Sequence, residues 1–190
     1  MRRTVFAVAA LVAGATALAA QTPKKIRPEI RPFVGATIPT GEQRDLFADA
    51  ALVGAQAAVE LKPSLHVLGT FGWTPGQNKY AVALDNVSIF QYTVGAELGF
   101  VEPLAGNWEV RPFIGVGVGG RTYAYEASTL DDKTDVAGYG AVGTEFQLAR
   151  TALRLEARGN LYRFHSPMAG VAVKTRSDIG LSFGVAYHLW

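Results

Sequence analysis

The 190 residues include no cysteine, which excludes a disulfide framework, a thiolate metal site and a lipid-modified cysteine behind a leader. Charge is scarce too: Asp, Glu, Lys and Arg make up 18% of the chain, against about a quarter in ordinary soluble domains. Long apolar runs are missing, since the one from Val5 to Ala20 falls short of the roughly 20 residues a spanning helix needs. Glycine, by contrast, is plentiful at 21 residues. Low charge with high glycine suits a thin-walled sheet better than a helical enzyme.

Arg2 and Arg3 precede the apolar run, Ala17-Leu18-Ala19 offers a small-x-small cleavage site, and the polar Gln21-Thr22-Pro23-Lys24-Lys25 follows. Residues 1–20 therefore resemble a bacterial secretory signal peptide, removed on export to the periplasm. A short segment, 21–27, then leads into one domain spanning 28–190. Removing Arg2 and Arg3 from the 18 basic residues leaves 16 against 16 acidic ones. A balanced chain gives no electrostatic reason to expect nucleic acid as a partner.

Alternation with a period of two, the mark of a strand with two unlike faces, recurs through the domain. From Ile179 to Leu189 the odd positions are large and apolar and the even ones small or polar. Similar segments cover 28–38, 51–61, 65–73, 88–100, 109–125, 135–149 and 152–164, which makes eight strands. Long polar connections (39–50, 74–86, 126–134, 165–175) alternate with short ones (62–64, 102–107, 150–151). An even number of strands, short turns at one end and long loops at the other fit an antiparallel up-and-down transmembrane β-barrel with both termini in the periplasm. Glu29-Ile30-Arg31-Pro32-Phe33-Val34-Gly35 recurs as Glu109-Val110-Arg111-Pro112-Phe113-Ile114-Gly115, each time at the start of an upward strand.

A soluble lipocalin-like barrel also alternates, with its apolar face inward around a ligand. Three features favour the membrane barrel. The polar face holds almost no lysine. Aromatics gather near strand ends on or near the apolar face, Trp73 and Tyr92 above, Phe100, Trp108 and Tyr187 below, as interfacial girdles do. The polar face also collects Glu29, Glu60, Glu97, Glu109, Glu145 and Glu156 against Arg31, Arg111, Arg154 and Arg158. Enclosed in a narrow lumen, charges of both signs pair across it, with glycines making room.

The Arg31-Pro32-Phe33-Val34-Gly35 opening strand and the Tyr187-His188-Leu189-Trp190 ending carry a resemblance to the eight-stranded outer-membrane β-barrel family, which includes the OmpA transmembrane domain and OmpX. The likeness spans about Arg27 to Trp190, and the peptidoglycan-binding domain of full-length OmpA proteins is not expected behind it. The resemblance implies residence in the cell outer membrane. It also implies contact with outer-membrane lipids and lipopolysaccharide, and a terminal strand read by the outer-membrane assembly machinery. Trp190 falls one step out of phase with the outward Tyr187 and Leu189, so either Leu189 takes the terminal place or a bulge near His188 restores the phase, and Trp190 itself is expected to be an interface aromatic that anchors the periplasmic end.

No motif commits the chain to catalysis, a cofactor or a metal. Gly115-Val116-Gly117-Val118-Gly119-Gly120 lies within a strand with no helix after it, unlike a phosphate-binding loop. His66 and His188 face inward and lack a third ligand, which favours luminal hydrogen bonding. Tyr162-Arg163-Phe164-His165-Ser166-Pro167, with Asp178 downstream, is similar to the His/Ser run of PagL-type lipid A deacylases. Adjacent His165 and Ser166, however, face opposite ways on a strand and do not form a base–nucleophile pair. The expectation is a non-enzymatic barrel that supports the envelope or offers its loops to an extracellular partner, with a small-pore channel as an alternative role. Arg163, outward near the upper rim, and Arg121, if Gly119-Gly120 forms a bulge that turns it outward, are candidate lipopolysaccharide contacts.

Overall fold

A computed structural model describes residues 27–77, 79, 86–104, 106–126, 132–164 and 173–189. The segment expected to be a leader, 1–20, and His165, Ser166 and Trp190 lie outside the described residues. Eight long strands form the molecule: β1 (Arg27–Thr40), β2 (Ala50–Lys62), β3 (Leu65–Gln77), β4 (Asn86–Gly99), β5 (Trp108–Tyr125), β6 (Lys133–Leu148), β7 (Thr151–Phe164) and β8 (Lys174–His188). Each pairs antiparallel with its neighbour in sequence, and β1 pairs with β8, so the sheet closes on itself and leaves no free edge.

The period of two becomes an inside-out burial pattern. Along β7, Arg154, Glu156, Arg158 and Asn160 are buried while Leu153, Leu155 and Leu161 are exposed. Val118 and Val136 stay 68% and 78% exposed, whereas Arg31 and Arg111 are 1% exposed. A continuous apolar exterior around a charged interior has its low-energy state in hydrocarbon, where the ladder satisfies every backbone group and the valines and leucines meet lipid. Leu68, which sits on the polar side of the β3 pattern, is an apolar residue of the lumen, 3% exposed.

Bulky inward side chains lie over glycines of neighbouring strands. A Cβ at Gly143 would meet the Phe113 ring and the Leu155 carbonyl, one at Gly95 or Gly117 the Tyr139 ring or hydroxyl, and one at Gly99 the Arg111 guanidinium. Glycine is thus used on the luminal face to give aromatic and arginine side chains room inside a narrow ring.

Two readings of register are corrected. Pairing runs without a break through Thr93↔Gly119, Tyr92↔Gly120 and Gln91↔Arg121, and through Gly119↔Ala137, Gly120↔Val136 and Arg121↔Asp135. There is no bulge at Gly119-Gly120, so Arg121 keeps its inward parity and is 3% exposed, in the lumen rather than facing lipid. The β1–β8 seam keeps one register through Glu29↔His188, which rules out the bulge near His188 and leaves Tyr187 and Leu189 facing out.

The short end is closed by Pro63-Ser64, by a turn in which Glu102–Pro103 pairs back onto β5, and by Ala149-Arg150, where Ala149 has a φ of 56°. At the other end the first connection is more than a polar turn. After a 3-10 turn, Gly41–Asp45, the amides of Leu46 and Phe47 donate to the Gln43 carbonyl at 3.0 and 3.1 Å. The two apolar side chains dip into the barrel mouth against Val87, Ile89, Tyr123, Tyr162 and Phe164.

Candidate functional site

Among the described residues the lumen holds the largest concentration of charged side chains, and all eight strands line it. In its lower half Arg31 donates to both Glu29 oxygens at 2.8 and 2.9 Å and lies 3.4 Å from Glu97 and from Glu145. Arg111 pairs with Glu145 at 2.8 Å and Glu97 at 3.0 Å. Arg154 ties Glu97, Glu145 and Glu156 together, at 2.5 Å from Glu97 and 2.7 Å from Glu156. Arg158 reaches Glu156 at 2.7 Å. Four arginines thus face four glutamates, and the cluster is neutral as well as sealed from solvent.

Neutral groups complete it. Gln56 donates to Glu156 at 3.2 Å, and Arg111 Nη2 lies 2.7 Å from His66 Nδ1. A guanidinium only donates, so Nδ1 of His66 accepts and carries no proton. His188 stands 3.7 Å from Glu29. The Arg154 and Arg158 guanidiniums lie 3.7 and 4.0 Å from the Phe113 and Tyr139 ring centroids, within the range of cation–π attraction.

Higher up is a second cluster. Arg121 pairs with Asp178, Asn160 donates to Asp178 at 2.7 Å, and Gln91 donates to Asn160 at 2.8 Å. The Arg121 guanidinium sits 4.5 Å from the Tyr162 ring centroid. Above this layer Phe47 stacks on Tyr123 at 5.9 Å and meets Phe164 edge-on at 6.0 Å, which caps the lumen. At the rim Lys174 holds both Glu42 oxygens, at 3.0 and 2.9 Å, and lowers the Glu42 pKa through that hydrogen bond and its charge.

Of the ten charged residues expected in the lumen, Glu29, Arg31, Glu97, Arg111, Glu145, Arg154, Glu156 and Arg158 are brought together. Glu60, opposite His66, is half-buried toward the turn end. Glu109 is a correction: it has inward parity but sits at the turn end, opposite Pro103 and Gln147, and is exposed. The echo between the two segments therefore holds for Arg31 with Arg111 and Phe33 with Phe113, and fails for the leading glutamates. Trp73, Phe100, Trp108 and Tyr187 face outward, and Tyr92 lies half-buried over Gly120 with its hydroxyl 3.2 Å from Thr122. Arg163 is exposed on the outward face. Among the described residues no group of three His, Cys, Asp or Glu is placed to hold a metal ion.

A closed ring of eight strands, apolar outside and ionically filled inside, defines a membrane-spanning β-barrel. Residues 5–188 match the model of the outer membrane protein beta-barrel domain, and the chain belongs to that family; it is a protein of the outer membrane. Neisserial surface protein A is a structural neighbour, at 15% identity and a TM-score of 0.58, covering 85% of this chain and 96% of its own. Two Pseudomonas aeruginosa proteins are similar in the same way. OprG gives 15% identity and a TM-score of 0.55 over 86% of this chain and 96% of its own. The N-terminal barrel domain of OprF gives 13% and 0.54 over 86% and 97%. At these identities the likeness is one of fold. No curated protein matches the chain.

Proposed function

We propose that this chain is a non-enzymatic, closed barrel that stabilises the outer membrane and presents its long loops to the outside. The observation that carries this reading is the double obstruction of the lumen: the four-by-four ion cluster below and the Leu46-Phe47 plug above. Both blocks argue against the small-pore alternative. In planar bilayers the folded chain should give no stable single-channel steps, and steady ohmic steps would overturn the reading.

The same geometry supports a non-catalytic role. Asp178, the acid that a deacylase reading would use, points into the lumen, is 1% exposed, and is held by Arg121 and Asn160. Lipid A acyl composition should be the same with and without the protein. The exposure of Arg163 on the outward face near the long-loop rim supports reading it as a contact for lipopolysaccharide phosphates, and Arg163→Gln should weaken that association. The outward Tyr187 and Leu189 support reading β8 as the strand offered to the assembly machinery.

A further inference from the structure

Arg176 belongs to neither luminal cluster. It lies on the inward face at the top of β8, opposite Tyr162, with its guanidinium 5.5 Å from the Phe164 ring centroid and its side chain 7% exposed. Its Nε and Nη1 are buried and have no hydrogen-bond partner. The nearest carboxylate, Glu42, stands 3.8 Å away, beyond hydrogen-bond reach. Glu42 is itself 65% exposed and is held by Lys174. A buried cation with two idle donors is an expensive arrangement unless something else supplies the oxygens.

These side chains line one groove at the mouth, between the 3-10 turn and the top of β8, with Thr40, Glu42, Gln43, Lys174, Arg176 and Ser177 in its walls. The Thr40 hydroxyl donates to the Ser177 carbonyl at 2.9 Å and lies 2.8 Å from the Ser177 hydroxyl, which fixes this wall of the groove. We propose that this groove is a binding site for a phosphate or sulfate monoester, in which Glu42 stands in for the ligand when none is bound. The planar carboxylate serves Lys174 and falls short of Arg176. A tetrahedral oxyanion presents three oxygens and satisfies both cations, with the Arg176 fork taking two of them. Because Lys174 and Arg176 share inward parity, the ligand enters from water at the barrel mouth. That excludes the lipid headgroups that Arg163 faces and points to a soluble or glycan-borne ester. Binding displaces Glu42 and so releases the contact that ties the first loop to β8.

The site rests on the reading that this mouth faces outward, and its test is independent of conductance. Backbone amides of the full chain, refolded in detergent micelles, are followed by NMR while inorganic phosphate, glucose 6-phosphate or, at matched ionic strength, sodium chloride is added; lipid A in bicelles is a fourth arm. Both phosphate probes should give saturable shifts at residues 41–47 and 174–177, and chloride and lipid A should not. Arg176→Gln should weaken binding roughly tenfold to a hundredfold, the loss of a charge-assisted hydrogen bond or two. Glu42→Gln, which removes the competitor, should strengthen it, while Asp45→Asn on the same loop leaves it unchanged. If Arg176→Gln fails to fold, the exposed Lys174→Gln serves in its place and should also weaken binding. No saturable shift, equal effects of Glu42→Gln and Asp45→Asn, or shifts driven only by lipid A would overturn the proposal.

Discussion

Glu145→Gln tests whether the ion cluster holds the barrel together. Glu145 is fully buried and is shared by Arg111 at 2.8 Å, Arg31 at 3.4 Å and Arg154. Glutamine keeps one acceptor oxygen but aims an amide N–H₂ at a guanidinium, and it leaves four arginines against three glutamates. Two of the contacts are within charge-assisted hydrogen-bond range, each worth about 1.5–3 kcal/mol. Breaking a buried ion pair from one side costs about 3–5 kcal/mol, so a loss of about 4 kcal/mol is expected. With an m-value of about 2 kcal/mol/M, the urea midpoint falls by about 2 M. The measurement is urea unfolding in phospholipid vesicles, read by tryptophan fluorescence and by the mobility difference between boiled and unboiled samples. Adding Arg111→Gln restores charge balance, so the double variant should lose less than the two singles together by about 1 kcal/mol or more. Glu109→Gln, at the exposed rim, should change stability by less than about 0.5 kcal/mol. If Glu145→Gln stays within about 0.5 kcal/mol of the parent, or the double loses the full sum, the cluster is not the stabilising unit described here.

Further outcomes follow from the packing. Gly143→Ala forces a methyl into the Phe113 ring and the Leu155 carbonyl and should cost about 1–3 kcal/mol in the same unfolding assay. Gly140→Ala, whose methyl meets nothing within 4 Å, should be neutral or slightly stabilising. Phe47→Ala removes the plug that stacks on Tyr123, and hydrogen exchange at residues 41–49 should rise while the strands keep their protection. The Glu42 carboxylate is held by Lys174, so its folded pKa lies below its unfolded one. Its contribution is therefore present above the unfolded pKa and lost as pH falls through the lower, folded value. NMR titration of the Glu42 side chain should show the depression, and Lys174→Gln should largely abolish it.

Which face a residue occupies was legible from the sequence, and how high it sits along the barrel axis was not. Parity alone placed Arg31, Arg111, Arg154 and Arg158 inside, correctly, because a strand has only two faces and a membrane barrel makes them chemically opposite. Glu109 has the same parity as Arg111 and is exposed, since height depends on register with Pro103 and Gln147, which no local pattern carries. Arg121 failed through an added assumption. Two consecutive glycines are compatible with a bulge, but here Tyr92 packs on Gly120 and the ladder continues, which leaves Arg121 facing Asp178. The mouth was the least legible part. Leu46-Phe47, an apolar pair in an otherwise polar connection, was the available signal for the plug. Arg176 and Lys174 lie at the edge of a polar loop, where alternation fades.

The ion cluster also bears on how the barrel reaches its final state. Arg31 finds Glu29 on its own strand, but its contacts to Glu97 and Glu145 span the ring to β4 and β6, and Arg154 on β7 reaches back to Glu97 on β4. A curled sheet with its β1–β8 seam open keeps the Arg31–Glu29, Arg111–Glu145 and Arg154–Glu156 pairs, which lie within one strand or between neighbours, but gives up the contacts of Arg31 with Glu97 and Glu145 and of Arg154 with Glu97 that reach across the ring. Closing the seam therefore completes the cross-ring part of the network. The last strand to dock completes the hydrogen-bond ladder and these cross-ring contacts together.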